Sequence, residues 1–504
     1  MVGPRERQRL GSEWGWAGFG ALRGVRRRAE RVKSASGQIG CRVLHVRRVS
    51  RKWAGLSGGV MSLWGMAQNF LSCDREQGLL LPPDLGEWLP AGHLAWFVIA
   101  TVAELDLSVI YGDYRVDGHG RPAHDPAMMV SLVLYAYAVG ELSSRGVERR
   151  CVEDVAFRVI AANRVPDHAT IARFLVRHRE PLSGLFFEVL ALCERAGMVR
   201  VGTVAVDSTK LAANASLDQN RSLEGLRAEA ERIIDAAIET DRREDELYGD
   251  RCGDELPDEL ADPRTRAARI RALLEQARSE IEPAQAAHAD REARRQGEGR
   301  RPPGRRSAAG KPYRLRELEN RKYNLTDPDS GIVRHRGMLM QGYNVQAAVA
   351  EGQVILATGV SRVSPDSGQL APTLDQARRN LARAGVTQPI TRVLADSGYW
   401  QTDQITHLQA RGLDVLVPPQ LRARTLARAH PQVQAMHAQL STPAGKAVYQ
   451  RRQQIIEPVF AHWKHIRGIT RLLRRGKPAV QAEVDLIATT HNLLKLHRHT
   501  LATT

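Results

Sequence analysis

Cysteine is scarce in this chain. Its 504 residues include Cys41, Cys73, Cys151, Cys193 and Cys252, with no Cys-x-x-Cys pair among them. That spacing argues against zinc-finger and dithiol redox chemistry and for a reducing, cytoplasmic compartment. Long apolar runs are missing as well. The longest useful one, Met128 to Val139, is too short to cross a bilayer, so no membrane partner is expected. Acidic residues are nearly absent from positions 1–60, where 14 Lys and Arg face only Glu6, Glu13 and Glu30. This head carries +11 of the chain's formal +17, and the remainder is mildly basic. The Gly18-Phe-Gly20 in it follows no strand, so a dinucleotide loop is discounted. The head reads as a disordered basic segment, or as sequence upstream of a true start at Met61.

Residues 61–200 read as a helical domain. Helical spacing is visible from Leu94 to Leu105 and from Met128 to Val139, the second entered through Pro122, His124 and Pro126. Ser143 to Phe157 reads as one helix. After a turn at Ala162 to Pro166, Asp167 is expected to cap a further helix from His168 to Arg179. Two helices joined by a short Asn/Pro turn, the second bearing Arg173 and Arg177, form the pattern of a helix-turn-helix DNA reader. The alternative is an ordinary helical hairpin with a solvated basic face.

Beyond residue 200 the pattern changes. Val201 to Val206 is a β-branched apolar run that reads as a buried strand, and it ends in Asp207. A carboxylate where a buried strand runs out is costly without a cation or a metal ion as partner. Ile390 to Ala395 repeats the design and ends in Asp396. Between them, residues 218–325 read as an inserted helical hairpin, Leu223 to Glu239 and Thr265 to Ala289, with Pro283 expected to kink or end the second helix. A basic Gly/Pro linker follows, reaching Arg306. Strands at Gln341–Ala350 and Val354–Ser361, joined by a tight turn at Glu351-Gly352, precede a helix over Ser367–Ala384. Then come the Asp396 strand, a helix at Thr402–Arg411 and a strand at Asp414–Pro418. This order predicts an α/β fold: a ribonuclease-H-like mixed sheet with flanking helices and a helical insertion, preceded by an all-α DNA-binding domain. Late in the chain Glu457 and Lys464 stand seven apart, nearly on one face of a helix at about 100° per residue. Pro458 places Glu457 near a helix start or kink. Arg467, Arg471, Arg474, Arg475 and Lys477 form a basic patch suited to a phosphate backbone.

Taken together, these stretches resemble the bacterial insertion-sequence transposases of the DDE type, over about Met61 to His497. The resemblance is carried by Asp207-Ser-Thr-Lys210-Leu-Ala-Ala-Asn-Ala-Ser216, Ala395-Asp396-Ser-Gly-Tyr399, and Glu457-Pro-Val-Phe460 with Lys464. Pro166 to Phe174 and His124 to Met128 look like the family's amino-terminal DNA-binding domain. Two departures are visible. Ser208 stands where many members have Gly, and four residues rather than three separate Arg452 from Glu457. The resemblance implies Asp207, Asp396 and Glu457 as catalytic acids holding Mg²⁺ or Mn²⁺, with two ions serving in-line attack on a phosphodiester. It implies DNA contacts from Lys464, Arg452, Tyr449 and Lys210, beside Arg471, Arg474 and Arg475 of the basic patch. The expected partners are double-stranded DNA, as terminal inverted repeats and target, and a second copy of the chain. Asp218 and Asp366 fall outside this constellation and are expected to tolerate replacement. A ribonuclease-H-like nuclease and a transposase-derived DNA-binding regulator remain as alternatives; the second would be expected to have lost a carboxylate.

Overall fold

The computed structural model describes residues 85–114, 122–233, 235, 266–297, 315, 318–335, 337–420 and 428–503. The basic head, the Asp/Pro-rich link around Gly253 to Pro263 and the basic linker at Arg306 lie outside the described residues.

Helices α1 (Leu94–Glu104) and α2 (Ser108–Gly112) lead to α3 (Pro126–Ala138). An Asp-Pro pair sets the start of α3: the Asp125 carboxylate accepts from the Met128 amide at 3.1 Å and Pro126 opens the first turn. From Met129 to Ala138 this helix is buried on every side, which explains its continuous apolar sequence. The helix expected from Ser143 to Phe157 is two, α4 (Ser144–Glu153) and α5 (Val155–Ile160). Asp154 makes the break, because its carboxylate accepts from the Ala156 amide at 2.9 Å and caps a new helix. In the following turn Ala162 and Asn163 take the left-handed conformation, at φ 49° and 57°. Asp167 then caps α6 (His168–Arg177), accepting from the Thr170 amide at 2.9 Å, as its position predicts. A break at His178 separates α6 from α7 (Arg179–Arg195).

The sheet is mixed, so the chain is an α/β protein. Its strands are β1 (Thr203–Ala212), β4 (Gly331–His335), β5 (Met338–Ala350), β6 (Ile355–Ser361), β7 (Arg392–Ala395) and β8 (Asp414–Leu416). Strand β1 lies antiparallel to β5 on one side and parallel to β7 on the other, and β8 extends the parallel part. Long β5 takes two neighbours along its far side, β4 against its first residues and β6 against its last. The β5–β6 hairpin turns where the Glu351-Gly352 pair predicts it. Short, half-exposed β4 carries too weak a pattern to be read from sequence.

Between β1 and β4 the chain leaves and returns through a ribbon of β2 (Asn220–Ser222) and β3 (Lys322–Asn324). Residues 223–233 are helical, and α8 spans Arg266–Gly297. The latter runs on through Pro283, so the proline does not end it. Pro283 lies on the exposed side, where water can serve the carbonyl that proline deprives of a donor. Leu226, Ile270, Leu273, Ala277 and Ile281 close with Leu318, Tyr323 and Leu325 into a small core separate from the main one.

After β6 come α9 (Leu370–Arg383), then α10 (Thr402–Ala410) between β7 and β8. The chain ends with α11 (Pro431–Ser441), α12 (Pro443–Ala461), a π-helical turn at His462–Ile466, and α13 (Lys477–Thr503). One continuous hydrophobic core joins the amino-terminal helices to the sheet, and α13 packs on α3, α7 and β6 together. Among the described residues no helix is long and apolar enough to cross a membrane.

Candidate active site

The parallel pairing of β1 with β7 puts Val206 opposite Ala395, so Asp207 and Asp396 follow side by side at the next level. Asp207 Oδ1 accepts from the Ser208 amide at 2.7 Å, and Oδ2 accepts from Arg452 Nη1 at 2.7 Å. Burial pushes the Asp207 carboxyl up to about 6. The charge of Asp396 adds to the rise, while the Ser208 amide and Arg452 oppose it. Asp396 caps the 3₁₀ turn Ser397–Tyr399, accepting from the Gly398 amide at 2.9 Å.

Helix α12 crosses over these strand ends. Tyr449 donates its hydroxyl to the Ala395 carbonyl at 3.3 Å, next to Asp396. Arg452, mostly buried, reaches Asp207 with one arm, and Nη2 of the other lies 3.5 Å from Glu457 Oε1. Glu457 itself is half exposed. The acids are thus linked in a row, Asp396 beside Asp207, then Arg452, then Glu457. Among the described residues no group of three or more His, Cys, Asp or Glu converges closely enough to hold a metal ion. The strand-end pair does fit a hard divalent cation: two oxygen donors lie side by side, and their mutual repulsion is a strain such an ion relieves. Glu457 stands off across the guanidinium.

Pro458 neither starts nor ends α12. The Gln454 carbonyl, which proline leaves without its helical donor, accepts instead from Gln353 Nε2 at 3.2 Å, so the helix continues. Downstream the π turn at His462–Ile466 widens the helix. A projection at about 100° per residue therefore does not carry from Glu457 to Lys464.

The basic patch is not one surface. Arg467 is buried and donates to the carbonyls of Tyr137 and Ile487 and to the Thr490 hydroxyl, so it joins α3 to α13 rather than facing a phosphate. Burial pushes its guanidinium down to about 9. Arg474 is half-buried beside Tyr137, and its backbone amide donates to Glu483 at 2.9 Å. Arg471 and Arg475 are exposed, beside a short extended stretch in which Thr470 and Leu472 bond Ala212 at the end of β1. On α6, Arg173 is exposed and bonds Thr170 within its own helix. Arg177 is engaged: it donates to the Asp113 carbonyl, and its guanidinium lies 5.0 Å from the centre of the Tyr114 ring.

Asp366 corrects the sequence reading. It is no bystander but a largely buried carboxylate, paired with Lys210 and bonded to Asn344 and Gln346. A Cβ added to Gly398 would sit 3.0 Å from Asp396 Oδ1 and 3.5 Å from Asp366 Oδ2, so the two acids flank that glycine. One signal pointed to this network: Asn344 and Gln346 are polar side chains in a largely apolar strand, and buried amides need partners.

A family model described as a transposase domain matches residues 83–177, and one described as a transposase DDE domain matches residues 329–493. The chain is a DDE transposase of the insertion-sequence type. The DDE match contains Asp396, Arg452 and Glu457 of the transposase; Asp207 lies upstream of it, across the insertion, and reaches the site through the β1–β7 pair. No curated protein and no solved structure matches the transposase.

Proposed function

We propose that this transposase binds the terminal inverted repeats of its element and catalyses strand cleavage and strand transfer at Asp207, Asp396 and Glu457. The observation that carries the reading is the side-by-side placement of Asp207 and Asp396 at adjacent parallel strand ends. The sheet order β6-β5-β1-β7-β8, with β1 antiparallel to β5 and parallel to β7, supports a ribonuclease-H-like catalytic architecture. Asp207 and Asp396 would hold Mg²⁺ or Mn²⁺, joined by Glu457 once Arg452 moves aside. When bound, such ions activate an attacking water or 3′-hydroxyl and stabilise the departing oxygen. The protein's own part is to keep both strand-end carboxylates ionised and fixed. Arg452 is poised to exchange its carboxylate partners for a DNA phosphate, and Tyr449 lies beside the strand end to position a terminal nucleotide. Lys464, Arg471, Arg474 and Arg475 would follow the backbone, and the helices of residues 61–200 would read the repeat through Arg173. Residues 201–497 would supply the chemistry. Holding two ends at once calls for a second copy of the chain.

The test is incubation of the protein with its element's own ends and Mg²⁺, with cleavage mapped at nucleotide resolution. Cleavage at the element boundary is expected, lost in Asp207→Ala, Asp396→Ala and Glu457→Ala proteins that still bind the ends. Cutting without regard to end sequence would favour a nuclease. Wild-type rates in a folded Asp396→Ala protein would sink the assignment.

A further inference from the structure

Behind the strand ends lies a second polar network. Ser208 and Lys210 alternate with Asp207 along β1 and so face the opposite side of the sheet. There they pair across the strands with Gln346 and Asn344 of β5. Asp366, in the segment between β6 and α9, closes the group. Its Oδ1 accepts from Asn344 Nδ2 at 2.8 Å and from Gln346 Nε2 at 2.9 Å. Lys210 Nζ lies 3.4 Å from Oδ1 and also donates to Asn344 Oδ1 at 2.8 Å and Ser208 Oγ at 2.9 Å. Tyr399, at the end of the turn that Asp396 caps, donates its hydroxyl to Gln346. The Asp366 and Lys210 side chains are only 14 % and 16 % exposed, so water screens their charges little.

We infer that Asp366 and Lys210 are positioning residues: a buried ion pair that holds the Ser397–Tyr399 turn from behind and sets the charge felt at the Asp207–Asp396 pair. The inference rests on the cation site proposed above. Two consequences separate it from a merely structural bond. Lys210, neutralised and turned away from Asp207, does not serve as a DNA contact. The two members of the pair also act on a bound cation with opposite sign. Removing Lys210 leaves the Asp366 carboxylate uncompensated and draws the cation in; removing the Asp366 charge leaves the lysine uncompensated and repels it.

The experiment is titration of Mn²⁺ into the full chain without DNA, followed by the loss of the free-ion paramagnetic resonance signal, with circular dichroism to confirm folding. Lys210→Met is expected to bind Mn²⁺ about tenfold more tightly than wild type, and Asp366→Asn about tenfold more weakly. The double variant, again neutral, should return close to wild type. If Asp366→Asn does not fold, Lys210→Arg, which keeps the charge, should bind as wild type does while Lys210→Met binds more tightly. Shifts in the same direction for both single variants, or no shift in either while wild type binds, overturn the inference. A wild-type protein that takes up no Mn²⁺, or whose uptake is unaltered in Asp207→Asn, overturns the cation site and this inference with it.

Discussion

Arg452 is the residue on which the proposed site turns, because its guanidinium touches both Asp207 and Glu457. It also restrains the rise in proton affinity that burial and Asp396 impose on Asp207. The sign follows directly. With its carboxyl at about 6, Asp207 is largely protonated below that pH and ionised above it. Cation uptake should therefore release about half a proton from this group near pH 6 and almost none at pH 8. Calorimetry of Mn²⁺ binding in two buffers of different ionisation enthalpy measures the release, which should vanish in Asp207→Asn. Arg452→Ala removes a cation that favours the ionised form, so its acid limb of cleavage should move to higher pH. An unmoved or lowered limb would contradict this account of Asp207.

At the scale of single elements, α6 and α12 make separate predictions. Of the two arginines of α6, Arg173 bonds only within its own helix, whereas Arg177 is held by Asp113 and Tyr114. Arg173→Ala should cost ~1–3 kcal/mol in cognate end binding and relax discrimination at one position. Arg177→Ala should lower thermal stability and leave the sequence preference intact; band-shift assays against single-base variants of the repeat separate the two. On α12, Gln353 serves the carbonyl freed by Pro458 while holding a left-handed φ of 63°. Gln353→Ala should destabilise by about 1–2 kcal/mol in urea, and Gln353→Gly by less, since glycine relieves the backbone. Equal losses in the two would show that the φ costs nothing. These elements also mark what sequence makes legible. Buried strands announce themselves as β-branched runs, and Pro126, Ser143 and Asp167 announce helix starts, because both signals are local. The break at Asp154 is a local cap set inside a continuous helical pattern, whereas the passage of α8 through Pro283 and the rescue of Pro458 depend on solvent or partners that spacing does not encode. Asp366 escaped for the same reason, its three partners lying on β1 and β5.

For the whole molecule, the shared core carries the strongest expectation. Helix α13 lies on α3, α7 and β6 at once, and Arg467 bonds α3 to α13 from inside. Gly140, at φ 87°, allows the close approach of the Arg467 backbone, where any side chain would collide. Residues 61–200 expressed alone should therefore expose the apolar faces of α3 and α7 and fail to melt cooperatively, although they form one functional unit in the proposal above. A sharp thermal transition in that fragment would show that the helical part stands by itself.

The distance in sequence between the two strand-end acids has a bearing on how the protein is made. Asp207 leaves the ribosome early; Asp396 comes much later, and Arg452 later still. The strand that seats Asp396 must slot in beside β1, and α12 must then close over both, before the acids stand together. A chain interrupted anywhere before residue 396 lacks half of the acid pair, however well its first part folds. On the proposed reading, premature termination or early proteolysis would yield fragments unable to cut DNA, and the enzyme would stay harmless until the Asp396 strand and α12 have been made.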